Sequence, residues 1–213
     1  MKKNILSGLI VAALFSAAAP AMAHQAGDII VRAGAVVVAP NESSDDVLGL
    51  GEFNVDNDTQ LGLNFGYMLT DNVGIELLAA TPFSHDVKLN GVGTIADTKQ
   101  LPPTLVAQYY FGNAQSKLRP YVGAGVNYTM FFDNDFNQGA KALGLDNLSM
   151  SNSWGLAAQV GLDYQINKDW LVNASVWYAK INTDVKFTMN DTNYKIDTDI
   201  DPWVYMISVG YVF

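Results

Sequence analysis

The last stretch of the chain, Trp203-Val-Tyr-Met-Ile-Ser-Val-Gly-Tyr-Val-Phe213, alternates with a period of two. Trp203, Tyr205, Ile207, Val209, Tyr211 and Phe213 fall on one face, and Val204, Met206, Ser208, Gly210 and Val212 on the other. The first face is large and apolar, with aromatic rings towards its two ends and aliphatics between. A strand facing lipid is decorated this way, because aromatic side chains favour the two bilayer interfaces. The stretch therefore predicts a transmembrane β-barrel that it closes, ending on Phe213.

The composition of the 213 residues, 49% hydrophobic and 15% charged, suits either a packed core or a membrane face. Cysteine is absent, which removes disulfides, thiolate zinc sites and cysteine nucleophiles together. At the other end, Lys2 and Lys3 precede an apolar run over residues 5–19, and Ala21-Met22-Ala23 is a small-x-small cleavage pattern before His24. The expectation is a bacterial-type signal peptide over residues 1–23, removed to leave His24 first. An uncleaved anchor helix is the alternative, but the apolar run is short for a span. Losing Lys2 and Lys3 takes the formal charge from −9 to −11. An acidic exported chain is a poor partner for nucleic acid. After Ala23 no apolar run is long enough for a membrane helix, so a membrane form must span as strands.

Working back from the final strand, seven further alternating segments occupy about residues 27–38, 52–69, 73–89, 96–111, 118–132, 149–166 and 170–189. In the first, Ile29, Val31, Ala33, Ala35 and Val37 oppose Ile30, Arg32, Gly34, Val36 and Val38. In the third, Val73, Ile75, Leu77 and Ala79 oppose Gly74, Glu76, Leu78 and Ala80. In the seventh, Trp170, Val172, Ala174, Val176 and Tyr178 oppose Asn173, Ser175 and Trp177. Short turns at Thr70-Asp71-Asn72, residues 112–117 and Asn167-Lys168-Asp169 follow the second, fourth and sixth segments, and longer connections follow the odd ones. Residues 133–148 form the longest of these, with a candidate short helix over residues 136–143. Short periplasmic turns alternating with longer outer loops are the outer-membrane arrangement. The expected fold is all-β: an eight-stranded antiparallel up-and-down transmembrane β-barrel over residues 24–213, with a short helix in the third outer loop. A soluble lipocalin-like barrel also has eight up-and-down strands, but it keeps its apolar residues inside. Here the purely apolar sets exclude every Arg, Glu, Gln and Asn of the central windows, so the apolar face is the outer one.

The inward sets divide by depth. Arg32, Glu76, Arg119, Asp163 and Asn173 lie near the periplasmic ends, with Gln108 and Gln159 placed higher. Both charge signs are present in a narrow lumen, which reads as a polar plug whose members pair, as buried charges must; proton or ion conduction is the rival reading. Above them Val36, Val38, Leu78, Ala80, Trp177, Val204 and Met206 point inward, which reads as an apolar pocket opening outwards for a small hydrophobic compound. For Leu78 and Trp177, ligand contact and simple filling are both open. Pro82, Pro102 and Pro103 remove backbone donors from neighbouring strands. They mark either a lateral opening into the membrane or the level at which strand pairing ends.

Enzyme chemistry is poorly represented. His24 stands at the expected terminus and His85 in an expected loop, neither with metal-ligand spacing, and no cofactor motif is present. Asp133, Asp135, Asp197, Asp199 and Asp201 read as solvated acidic loops, with divalent-cation contact to lipopolysaccharide as the alternative.

Extended motifs in order along the chain carry a resemblance. They are Asn57-x-x-Gln-Leu-Gly-Leu63, Thr70-Asp-Asn-x-Gly74, Glu76-Leu-Leu-Ala-Ala-Thr-Pro-Phe83, Leu101-Pro-Pro-Thr104, Arg119-Pro-Tyr-Val-Gly-Ala-Gly-x-Asn-Tyr128, Ser153-Trp-Gly155, Asp169-Trp-Leu-Val-Asn173 and Asp201-Pro-Trp203 through Phe213. Together these resemble the OmpW family of outer-membrane proteins; residues 40–51 and 184–199 match least. The resemblance implies a monomeric barrel taking small apolar compounds across the outer membrane, with lateral release and with Leu78 and Trp177 narrowing the channel. It also implies that the terminal aromatics Tyr211 and Phe213 are read by the barrel-assembly machinery. The rival from another class is a structural or adhesive barrel whose outer loops bind a host, phage or envelope partner.

Overall fold

The computed structural model describes residues 24–47, 49, 51–89 and 91–213. The expected signal peptide, residues 48 and 50 of the first loop, and Asn90 of the expected third turn lie outside the described residues. In chain order the elements are β1 (Ile29–Ala39), β2 (Ser43–Ser44), β3 (Phe53–Val55), β4 (Asp58–Met68), β5 (Val73–Ala80), β6 (Phe83–Leu89), β7 (Gly93–Leu101), β8 (Thr104–Tyr110), β9 (Leu118–Phe136), α1 (Gln138–Ala142), β10 (Leu145–Met150), β11 (Ser153–Gln165), β12 (Trp170–Ala179), β13 (Asn182–Met189), β14 (Thr192–Asp199) and β15 (Trp203–Val212).

Eight of these strands form a closed ring. β12, β15, β1, β4, β5, β8 and β9 follow one another as antiparallel neighbours, and β11 pairs with both β12 and β9. The closing strand β15 sets Val212 opposite Ile30 and Val204 opposite Val38 on one side, and Tyr211 opposite Trp170 on the other. At its end Phe213 and Ile29 exchange backbone hydrogen bonds, with Phe213 N–H donating at 2.9 Å.

The ring's exterior is apolar. Trp154, Leu156 and Ile207 are each more than 70% exposed, a burden no water-facing wall carries at this density. Aromatic pairs girdle it at both rims: Trp170 against Tyr211 at 5.0 Å below, and Tyr128 against Trp154 at 4.5 Å above.

Five of the expected spans are not single strands, because each continues past the ring into a second structure. Residues 52–69, 73–89, 96–111, 149–166 and 170–189 are each interrupted, and their outer parts belong to β3, β6, β7, β10 and β13. β7, β6 and β3 continue from β9, while β10, β13, β14 and β2 make a separate four-stranded sheet. Residues 133–148, expected as a loop around a short helix, hold the end of β9, helix α1 and strand β10. The helix itself falls where expected, capped by the Asn137 side chain accepting from the Ala140 N–H at 2.9 Å.

The physical reason for the interruption is a change of solvent. Along β12 the outward residues are apolar and the inward ones include the polar Asn173 and Ser175. Along β13 Thr183, Val185 and Phe187 are buried, while Lys186 on the other face is exposed. From β12 to β13 parity is kept while the chemistry of the two faces swaps where lipid gives way to water; from β5 to β6 the inward parity itself shifts, from Glu76 and Leu78 to Phe83 and His85.

Candidate functional site

The polar residues of the lower lumen meet in one network. Arg32, wholly buried, donates through Nη1 to Glu76 and through Nη2 to Asp163, and Nη2 also reaches the Tyr110 hydroxyl at 3.1 Å. Glu76 Oε1 accepts from Gln108 at 2.9 Å and from Gln159 at 3.0 Å, so these glutamines lie in the charged layer and not above it as the sequence suggested. Asn173 donates to Asp163 Oδ1 at 2.6 Å and to the Tyr121 hydroxyl at 2.9 Å. Arg119 donates to the backbone carbonyls of His24 at 2.8 Å and Asp71 at 2.6 Å.

Three residues of this network were missed from sequence. Tyr110 and Tyr121 fill the lumen with rings 4.8 Å apart, and His24 Nε2 lies 2.7 Å from Asp163 Oδ2. The two tyrosines sat on the inward face by parity; nothing local in the sequence ties His24 to a carboxylate 139 positions away. Gly161 makes room for Tyr121, since a Cβ there would lie 2.2 Å from the tyrosine ring. Gly161→Val is expected to push Tyr121 off Gln159 and Asn173 and to cost about 1–3 kcal/mol, typical of overpacking. The thermal midpoint of the folded-to-unfolded shift on an unboiled gel measures it.

All seven apolar residues assigned to the upper lumen pack in one cluster. Val36, Val38, Leu78, Trp177, Val204 and Met206 are buried together, with Ala80 against them. Val106, Ala157, Phe83 and Ile181 also belong to it and went unassigned. Trp177 Nε1 is satisfied by Ser175 Oγ at 3.3 Å. Only about 30 Å³ of free space remains beside Leu78 and Trp177, enough for a single water.

A larger cavity of about 110 Å³ lies above, between the two outer sheets, walled by Phe53, Leu89, Phe131, Phe136, Phe187 and Ile200 among others. Sequence reading missed it because Phe53, Leu89, Phe131 and Phe187 were taken as parts of the barrel spans and Phe136 and Ile200 as parts of connections. His85 was expected in a loop, and the correction is plain: it sits on β6, buried, with Nδ1 2.7 Å from the Asp56 carbonyl oxygen.

The prolines lie at a gap in the wall. β5 and β8 pair from Val73 opposite Tyr109 up to Leu78 opposite Thr104; pairing resumes at Phe83 opposite Gln100. Between them, residues 79–82 and 101–103 make no ladder with each other, while Ala79 and Ala80 stay paired to β4 and Leu101 to β9. Pairing thus does not end at this level but is interrupted there. The seams on either side are bridged: Thr81 N–H donates to the Leu61 carbonyl at 3.1 Å, and Tyr128 N–H to the Pro103 carbonyl at 3.0 Å. The gap stands beside the cavity lined by Leu78, Ala80, Phe83, Pro102 and Thr104.

The acidic clusters are paired with lysines. Asp133 faces Lys99, Asp135 faces Lys141, Asp197 faces Lys195, and Asp199 and Asp201 both face Lys180. Such exposed pairs contribute little stability. Among the described residues no group of three or more His, Asp or Glu side chains is placed to hold a metal.

An apolar-outside ring with a mixed-charge interior and aromatic rims is matched by a family model over residues 25–213, that of the OmpW family. The chain belongs to the OmpW family. It is 53% identical to outer membrane protein W of Escherichia coli and 52% identical to that of Vibrio cholerae, each alignment covering 100% of both chains. The crystal structure of outer membrane protein OprG from Pseudomonas aeruginosa superposes with a TM-score of 0.85 at 46% identity, covering 90% of this chain and 98% of that one. The OmpW-family assignment places the barrel in the outer membrane, its strands crossing the bilayer.

Proposed function

We propose that this barrel is a passive channel for small hydrophobic molecules, which enter between the outer sheets, pass Leu78 and Trp177, and leave sideways into the membrane. The observation that carries the reading is continuity: the upper cavity, the Leu78–Trp177 cluster and the gap at residues 79–82 and 101–103 follow one another along an almost wholly apolar path. Below Trp177 the lumen is filled by the buried Arg32 network, so the straight route to the periplasm is the costly one. In this scheme the network is a plug, Leu78 and Trp177 are the constriction, and outer-membrane lipid receives the product.

The test is uptake of a small apolar fluorescent probe by outer-membrane vesicles carrying wild type or Trp177→Asp. The variant sets a carboxylate in an apolar cluster, a change that costs a passing apolar solute several kcal/mol, on the order of a desolvated polar group. Uptake is expected to fall to that of vesicles without the protein, with folding confirmed by unboiled gel mobility. Equal uptake by wild type, variant and empty vesicles would remove the channel reading and favour a surface barrel that binds partners through its outer strands.

A further inference from the structure

The upper cavity and the smaller one beside Trp177 share a single lining residue, Gln100. It is 2% exposed, on β7, one residue before the gap begins. Its neighbour His85, stacked on Phe83 with ring centroids 6.3 Å apart, fixes which way its amide points. A backbone carbonyl only accepts, so the 2.7 Å contact of His85 Nδ1 with the Asp56 oxygen makes Nδ1 the protonated nitrogen. Burial pushes the imidazole below its ordinary value and keeps it neutral, which leaves a lone pair on Nε2. Gln100 Nε2, 2.9 Å away, is therefore the donor. Gln100 Oε1 remains, buried and without a hydrogen-bond partner among the described residues.

An unpaired buried acceptor is rare and costly, and here it stands in the partition between two apolar spaces. Thr198, whose buried hydroxyl also lacks a hydrogen-bond partner among the described residues, lines the upper cavity from the opposite sheet. We propose that Gln100 is a selectivity residue: its Oε1 accepts a hydrogen bond from an otherwise apolar solute bearing one O–H or N–H, so that phenol-like molecules are taken in preference to hydrocarbons of the same shape.

This rests on the channel reading. A hydrocarbon crossing the partition leaves Oε1 as it was, whereas a phenol exchanges its bond to water for one to Gln100. The cavity suits a single ring, since a dry cavity of about 150 Å³ holds benzene and this one needs only modest adjustment.

The test compares phenol and toluene, matched in shape, binding to the full barrel in lipid nanodiscs, each corrected for its partition into empty nanodiscs. Wild type is expected to favour phenol about tenfold, the scale of one satisfied buried acceptor. Gln100→Leu is expected to keep its affinity for toluene and lose the preference. A preference absent from wild type, or unchanged in Gln100→Leu, overturns the assignment while toluene binding still upholds the channel. Failure of both solutes to bind wild type overturns both. Should Gln100→Leu not fold, wild type decides alone: phenol and not toluene must shift the carboxamide carbon resonance of Gln100, and equal shifts count against the proposal.

Discussion

Arg32→Met is expected to cost about 3–5 kcal/mol of barrel stability, as the loss of one partner from a buried ion cluster does. The guanidinium lies between Glu76 and Asp163, bonded to both and to the Tyr110 hydroxyl, and neither carboxylate is reached by water. Removing it leaves two buried anions whose remaining partners are the amides of Gln108, Gln159 and Asn173 and the His24 imidazole on Asp163. A neutral donor does not replace a cation in a space of low dielectric. The combination Arg32→Met with Glu76→Gln and Asp163→Asn is expected to recover most of the loss, because a neutral network no longer needs a counter-charge. Urea unfolding in lipid vesicles, followed by tryptophan fluorescence, gives both values. A loss below about 1 kcal/mol for the single variant, the scale of an exposed pair, shows that water reaches the network and that the lumen is not plugged.

The same contrast of environments explains what was legible in the sequence. In the ring each strand has lipid on one side and a crowded polar lumen on the other, so alternate residues differ as much as chemistry allows. Ile29 and Arg32 or Leu77 and Glu76 are assigned to faces with no knowledge of partners. Above the bilayer the contrast inverts: Phe83, His85 and Leu89 go in, and Ser84 and Asp86 go out. Read as the upper end of one long lipid-facing strand, residues 83–89 break the pattern and look like loop. Read as an inverted face, they are an ordinary amphipathic strand. Lys180, Lys186 and Lys195 on the outer surface were the available signal for that inversion. His24 was beyond local reading, because its place is fixed by contacts with Asp163, Tyr110 and Arg119 that only the closed ring creates. Gln100 was hidden for a third reason. It keeps the inward parity of Thr104, Val106 and Gln108, but the faces of that segment were assigned only over residues 104–111, so its place went unread.

Tying the gap shut is expected to bring uptake down to the level of vesicles without protein. A wall interrupted within an apolar medium must leave no bare backbone polar groups, since each costs several kcal/mol there. Several of the groups at this gap meet the requirement. Pro82, Pro102 and Pro103 have no N–H to leave unpaired. The Pro102 carbonyl accepts from Thr104 Oγ1 at 3.1 Å and from Asn127 Nδ2 at 3.3 Å, and the Pro103 carbonyl from the Tyr128 N–H on the neighbouring seam. Opening residues 79–82 from 101–103 therefore breaks no ladder hydrogen bond, unlike parting any fully paired seam. Tyr128 packs against Trp154 beside the gap, at the outer aromatic rim, where a solute leaving sideways enters the outer leaflet. The chain has no cysteine, so Pro82→Cys with Leu101→Cys supplies one clean pair of thiols across the gap. A short reducible thiol-to-thiol linker is expected to abolish probe uptake, and its reduction to restore it, while either single cysteine treated alike keeps wild-type uptake. Undiminished uptake with the linker in place means that solutes leave elsewhere. The Arg32 network is then the next obstacle to examine, because it fills the lumen on the inward side of the Leu78–Trp177 cluster.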